Sequence, residues 1–229
     1  MCLPLNKKSR TRKIIEILKK EYPNAGPRLR FSNPLELLIA GILAAQCTDE
    51  RVNEVTKTLF IKYKTADDYA NADLDELRAE IYSTGTFRRK AEMIKECCNV
   101  IATEYNGVVP NTMDDLVSLP GVGRKTANMV MADIFGVPGI IMDTHVIRLS
   151  QRIGLSDKKI PDKMEIDLIE IVPKRDRTIF SHLLAFHGRK VCVARKPKCE
   201  QCKINGLCDY YKQLMIKHKD TKTQRHERS

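Results

Sequence analysis

The sequence has no run of 18 consecutive apolar residues, the length a helix needs to cross a bilayer, so no membrane partner is expected. It also has no charged leader followed by a short apolar stretch, which excludes a secretory signal and makes the expected location intracellular, cytoplasm or nucleoid in a prokaryote. No segment alternates strictly between apolar and polar residues, so no sheet is expected. No period of solenoid length recurs. Without an export signal, the eight cysteines do not read as a disulfide framework, because a reducing compartment keeps thiols free.

What remains is an ordinary globular composition. The 229 residues are 42% hydrophobic and 30% charged, enough for one compact body or two small lobes with a real core. The formal charge is +11. It is uneven: residues 186–229 hold 12 Lys and Arg against 4 Asp and Glu. A polyanion is the natural partner for such a surplus, although a bare charge excess is equally compatible with a solvated basic face.

The whole chain reads as helix, turn, helix. Arg12–Tyr22 places Ile14, Ile17 and Leu18 on one stripe. Asn33-Pro34-Leu35-Glu36 then supplies an N-cap, a proline at the first helical position and a capping-box glutamate. From Leu35 to Ala45 only Glu36 is charged, which predicts a central buried helix; Gln46 is the polar side chain where that helix emerges. Further helices are expected over Asp49–Tyr63, from Asp73 to Gly85, over Phe87–Tyr105 with Ala91, Ile94, Cys98 and Ile101 inward, from Thr112, and over Thr144–Ile153, Asp162–Val172 and Arg177–Gly188. The predicted fold is all-α with two helical lobes. One spans residues 27–137 and the other 1–26 plus 138–213, with a basic, disordered tail at 214–229.

The chemistry concentrates in Leu119-Pro-Gly-Val-Gly-Arg-Lys-Thr-Ala-Asn128. Pro120, Gly121 and Gly123 punctuate a tight turn, and a helix should begin at Arg124 and stop before Gly136 and Pro138. The free N–H groups of its first turn make Gly121, Val122, Gly123 and Arg124 a candidate phosphate cradle. Lys125 sits at the same helix start, where the helix dipole and Arg124 disfavour its ammonium form and favour a nucleophilic amine. Asp143 lies 18 positions further on. A helix of about 11 residues is ~16 Å long, and the seven steps from Gly136 to Asp143 reach ~23 Å, so the chain can bring the carboxylate back to the helix start. An amine and a carboxylate beside a phosphate-binding turn suit covalent chemistry at a sugar carbon. The plainer alternatives are a solvated lysine and an aspartate that only caps the helix after it.

Four cysteines are grouped. Cys192, Cys199, Cys202 and Cys208 follow the spacing C-x6-C-x2-C-x5-C, and four thiolates suit a [4Fe–4S] cluster or a structural zinc. The single close pair, Cys199/Cys202, favours the cluster, since four-cysteine zinc sites usually join two such pairs. Arg195, Lys196, Lys198 and Lys203 interleave with these ligands. They offset the negative charge of a thiolate-bound cluster and face outward as a second phosphate-binding patch.

With Leu119–Asn128, Asp143-Thr-His145, Ala45-Gln-Cys-Thr-Asp49, His187-Gly-Arg189 and the cysteine spacing in view, the chain resembles the endonuclease III family of helix-hairpin-helix DNA glycosylases over roughly residues 10–212. The resemblance implies removal of oxidised pyrimidines from double-stranded DNA and β-elimination at abasic sites. It also implies a [4Fe–4S] cluster held by the four cysteines, a Schiff-base role for Lys125, a catalytic carboxylate at Asp143, and DNA in a cleft between the lobes. Gln46 matches a glutamine that fills the space left by an extruded nucleotide. The segment Ser83–Phe87 matches a loop that wedges bulky apolar groups into DNA, but here it carries Thr84 and Thr86, leaving Phe87 as either wedge or core. A monomer is expected. The competing readings are a monofunctional mismatch or alkyl-base glycosylase, against which Lys125 argues, and a hairpin protein that binds DNA without catalysis.

Overall fold

The computed structural model describes residues 6–216. Residues 1–5 and 217–229, which include Cys2 and most of the expected tail, lie outside it. In chain order the helices are α1 (Lys7–Glu21), α2 (Pro34–Leu43), α3 (Asp49–Lys62), α4 (Ala66–Asn71), α5 (Leu74–Glu80), α6 (Phe87–Glu104), α7 (Met113–Ser118), α8 (Arg124–Asp133), α9 (Thr144–Ile153), α10 (Pro161–Ile171) and α11 (Arg177–Lys190). Residues 209–216 are also helical, and no strand occurs among the described residues. None of the described helices is long and apolar enough to cross a membrane.

The helices start where capping chemistry places them. Asn33 accepts from Glu36 N–H and precedes Pro34, Thr48 accepts from Arg51 N–H, Asp73 accepts from Asp75 and Glu76 N–H, and Thr112 accepts from Asp115 N–H. Each satisfies a first-turn donor that would otherwise have no partner. Two features went unread in the sequence. α1 begins at Lys7 because Asn6 caps it through Ser9 N–H at 2.9 Å, and α4 is nucleated by a reciprocal Thr65/Asp68 capping box.

The chain forms two compact units, Pro27–Gly139 and Met1–Gly26 with Ile140–Ser229. In the first, every residue of α2 from Leu37 to Leu43 is buried. Around it pack Val52 and Leu59 of α3, Ala91, Ile94 and Cys98 of α6, Leu116 of α7, and Ala127 and Val130 of α8. Gly41 lets α8 lie close: a Cβ there would stand 2.6 Å from Thr126 Cγ2 and 2.9 Å from Met129 Cε. In the second unit, Ile14 and Leu18 of α1 join Val146 and Leu149 of α9, Leu168 of α10, and Phe180, Leu183 and Leu184 of α11. Gly188 of α11 makes the matching close approach to α9, where a Cβ would meet His145 Nδ1 at 2.7 Å. Each packed core fixes one helix start that carries a candidate residue, α8 with Lys125 in the first unit and α9 with Asp143 in the second.

Candidate active site and cysteine loop

The turn before α8 is built from the outside in. Gly121 takes φ +76 with Met93 so near that a Cβ would meet its side chain at 2.9 Å. A left-handed backbone and a closed space together require glycine here. Gly123 is the N-cap of α8 and brings no capping side chain. Gly123 thus offers the first-turn N–H groups no acceptor of its own, and a helix start of this kind favours an anion. Gly121, Gly123, Arg124 and Lys125 are all exposed on this turn. Val122 is not: its side chain is 5% exposed and its N–H donates to Leu119 C=O at 3.1 Å. The expectation that Val122 contacts a ligand is therefore corrected. It anchors the turn in the core.

Asp143, in the other unit, is half-buried. It is the N-cap of α9, accepting from Val146 N–H through Oδ1 at 2.7 Å. The cap engages one carboxylate oxygen and leaves the second for other work.

Gln46 is exposed just past the end of α2 and has a left-handed backbone, φ 54. Thr86 is also exposed and left-handed, φ 43, following Gly85 at φ 68. Non-glycine residues seldom adopt this conformation, so both are held there by their surroundings. Thr84 is corrected: its side chain is 1% exposed and its hydroxyl donates to Ile81 C=O at 2.8 Å, so it closes the turn instead of facing a ligand. Phe87 is half-buried against the core and tilts against Tyr82, with ring centres 4.8 Å apart. Tyr82, 67% exposed, is the larger aromatic surface of this loop, and it was not singled out in the sequence.

In the cysteine loop, Cys192, Cys199, Cys202 and Cys208 line one small cavity with Pro197, Asn205 and Tyr211 among its other walls. Burial raises the thiol pKa of Cys199 and Cys208 and pushes Cys202 up to about 11, and the neighbouring thiols add to the rise in each case. Four thiolates so placed repel one another unless a cationic centre lies between them. Four cysteines lining one cavity fit a centre held by four thiolates.

Side chains not identified in the sequence hold this loop. From α9, Arg152 Nη1 donates to Cys192 Sγ at 3.4 Å and to Val193 C=O at 2.8 Å, while Nη2 donates to Ala194 C=O at 2.7 Å. Arg148 donates to the carbonyls of Gly188 and Cys192. From α11, His187 Nε2 lies 3.3 Å from Cys202 Sγ, and its Nδ1 lies 2.9 Å from Tyr22 Oη. Burial lowers the His187 pKa to about 4, so the ring is neutral; Tyr22 donating to Nδ1 leaves Nε2–H to donate to sulfur. Arg148 and Arg152 stand one turn apart on α9, 44 and 40 positions before Cys192, so the one available signal was their shared helix face. Arg195, Lys196, Lys198 and Lys203 are all exposed.

A hairpin turn opening onto an uncapped helix start, with an exposed lysine on it, defines a class: residues 39–174 match the HhH-GPD superfamily of base excision DNA repair proteins. Residues 192–208 match the iron–sulfur binding domain of endonuclease III. Endonuclease III of Synechocystis sp. is 48% identical, over 89% of this chain and 93% of its own. The fold also matches two solved structures with a TM-score of 0.88 for each. One is a non-covalent endonuclease III–DNA complex, 43% identical, and the other a trapped endonuclease III–DNA covalent intermediate, 44% identical; each covers 93% of this chain and 100% of that one. The chain belongs to the endonuclease III family. It is a base-excision repair enzyme, a bifunctional DNA N-glycosylase and abasic-site lyase, and its cofactor is a [4Fe–4S] cluster.

Proposed function

We propose that Lys125 is the nucleophile and Asp143 the carboxylate of this reaction, on duplex DNA carrying an oxidised pyrimidine or an abasic site. The neutral amine of Lys125 adds to C1′ as the C1′–N bond to the base breaks, and the carboxylate of Asp143 stabilises the cationic sugar that develops. The amine then loses a proton and the C1′–O4′ bond opens, O4′ taking a proton, to give the iminium; this acidifies C2′–H, and loss of that proton lets β-elimination expel the 3′ phosphate oxygen. Such chemistry requires the damaged nucleotide to leave the stack, because its C1′ is inaccessible inside a duplex. Gly121, Gly123 and Arg124 hold a backbone phosphate beside the amine. Gln46, Thr86 and Phe87 meet the duplex at the lesion, and Arg195, Lys196 and Lys198 neutralise phosphates further away. The cluster contributes structure, keeping that basic loop in shape. The enzyme acts as a monomer inside the cell, with DNA as its partner.

The observation that carries this reading is the exposed Lys125 in the first turn of an α8 whose N-cap, Gly123, offers no capping side chain. A covalent intermediate has been trapped in a related endonuclease III, which supports it. The test is borohydride reduction during turnover: wild type should give a protein–DNA adduct stable on a denaturing gel. Lys125→Gln should give no adduct and no strand cleavage while still binding the duplex. An adduct that persists in Lys125→Gln would move the nucleophile elsewhere.

A further inference from the structure

Lys90 is a cation in the core. It is 3% exposed and occupies the inward stripe of α6 with Ala91, Ile94 and Cys97. A buried ammonium is unfavourable unless its donors are satisfied, and burial accordingly depresses its pKa, with the nearby Cys47 thiol partly offsetting this. Its Nζ donates to two backbone carbonyls, Leu43 and Thr84, each at 2.7 Å. Neither partner is a carboxylate.

The identity of those carbonyls is what gives the lysine a task. Leu43 ends α2, so its carbonyl belongs to the set a helix leaves without an internal donor, at the negative end of the helix dipole. Thr84 ends the short 3-10 turn before Gly85. Three residues beyond Leu43 is Gln46, and two beyond Thr84 is Thr86, both exposed and both left-handed without being glycine. Backbone conformations of that kind persist only where the surroundings over-determine them. One ammonium fastens the base of both loops, whose bonded carbonyls, Leu43 and Thr84, are 41 positions apart in the chain.

We propose that Lys90 is a positioning residue for nucleotide extrusion: it clamps the Gln46 and Thr86 loops at a fixed spacing so that both enter the duplex together as the damaged nucleotide leaves. The assignment rests on the proposed reading that these loops meet DNA at the lesion. An apolar residue at position 90 would suit the core equally well but leave both carbonyls without a donor and both loops free to move apart.

The test is Lys90→Met, which keeps the stem and removes the donors and the charge, in the cluster-loaded protein. Single-turnover base release from a fully paired lesion duplex should fall at least tenfold, as should the rate of extrusion followed by 2-aminopurine fluorescence. Borohydride trapping on a duplex with a pre-formed abasic site should stay near wild type, because a nucleotide without a base has little stacking to lose. A purely structural role would lower both reactions together, in step with the folded fraction. Combined with Gln46→Ala, Lys90→Met should add little to the single defects, as expected for residues acting through one loop. Should Lys90→Met not fold, Lys90→Gln, which retains an amide donor, is measured in its place and should show a smaller defect of the same pattern. Wild-type base release in the position-90 variant, equal loss of base release and abasic trapping, or independent multiplication with Gln46→Ala would each overturn the clamp. If Gln46→Ala and Thr86→Ala are themselves silent, the loop reading fails and takes the clamp with it; if they are defective while the position-90 variant is not, the clamp alone fails.

Discussion

Asp143 serves two requirements through one side chain, and substitution can separate them. As N-cap it offers an acceptor to Val146 N–H, which asparagine supplies equally well. As the proposed carboxylate it offers negative charge, which asparagine does not. Asp143→Asn should therefore leave the urea midpoint nearly unchanged, losing only the ~0.3–1 kcal/mol of a charge near a helix start, while base release slows on the order of 10²–10³-fold. Asp143→Ala should lose the rate to a similar extent and lose roughly 1 kcal/mol of stability with the cap. Single-turnover base release and equilibrium unfolding, measured on both variants, separate the roles; equal stability loss in both would deny the cap its part. The local settings of Lys125 and Asp143 were legible because glycine, proline and capping residues announce helix starts over a few positions. Thr84 and Val122 were misread because one residue's burial depends on the packing of distant helices. Lys90 was overlooked although the α6 periodicity places it on the apolar stripe, and its partner Leu43 lies 47 positions away, beyond what a local pattern reports.

At the level of the helix pair, α8 is positioned by the face of α2 that Gly41 leaves open. Replacing Gly41 by alanine gains roughly 0.5–1 kcal/mol of helix preference. Against this, the new Cβ lands 2.6 Å from Thr126 Cγ2 and 2.9 Å from Met129 Cε, and overpacking of this kind costs typically 1–3 kcal/mol. The second term is the larger, so Gly41→Ala should lower the urea midpoint. It should also shift the first turn of α8 and lower the rate of borohydride trapping beyond the loss of folded protein; a raised midpoint would show that Thr126 and Met129 yield freely. The sequence announced α2 by its uninterrupted apolar run and α8 by the glycines before it. It concealed α4, whose capping box uses Asp68 at the position where glutamate is the usual signal, and whose six residues are too few to show a period. The opening of α1 was hidden by a polar, basic first turn with no apolar stripe.

At the scale of the whole molecule, part of the basic surplus lies on the cysteine loop itself, where Arg195, Lys196, Lys198 and Lys203 are exposed. The loop divides into an arm bound by two arginines of α9 and an arm with fewer side-chain ties, His187 to Cys202 and Asn205 to Cys199 C=O among them. Arg148 and Arg152 bind the carbonyls of Cys192, Val193 and Ala194 from α9, whereas Cys199–Gln201 and Asn205–Leu207 are 3-10 turns without side-chain caps. Cys199→Ser should abolish the visible iron–sulfur absorption and raise hydrogen exchange across residues 199–208, with 192–194 changing less; zinc in place of iron on elemental analysis of the wild type would overturn this. The exposed Lys196 and Lys198 belong to the same loop. Lys196 has φ 51, but alanine carries the same Cβ into that conformation, so Lys196→Ala changes charge without a new backbone penalty. If both lysines neutralise phosphates, the double alanine variant should bind all duplexes more weakly, regardless of sequence. Its slope of log K against log salt should be shallower by about 0.9 for each phosphate no longer neutralised. A slope unchanged from wild type, in protein that retains its cluster, would remove this loop from the DNA surface and leave the hairpin before α8 as the phosphate-binding element.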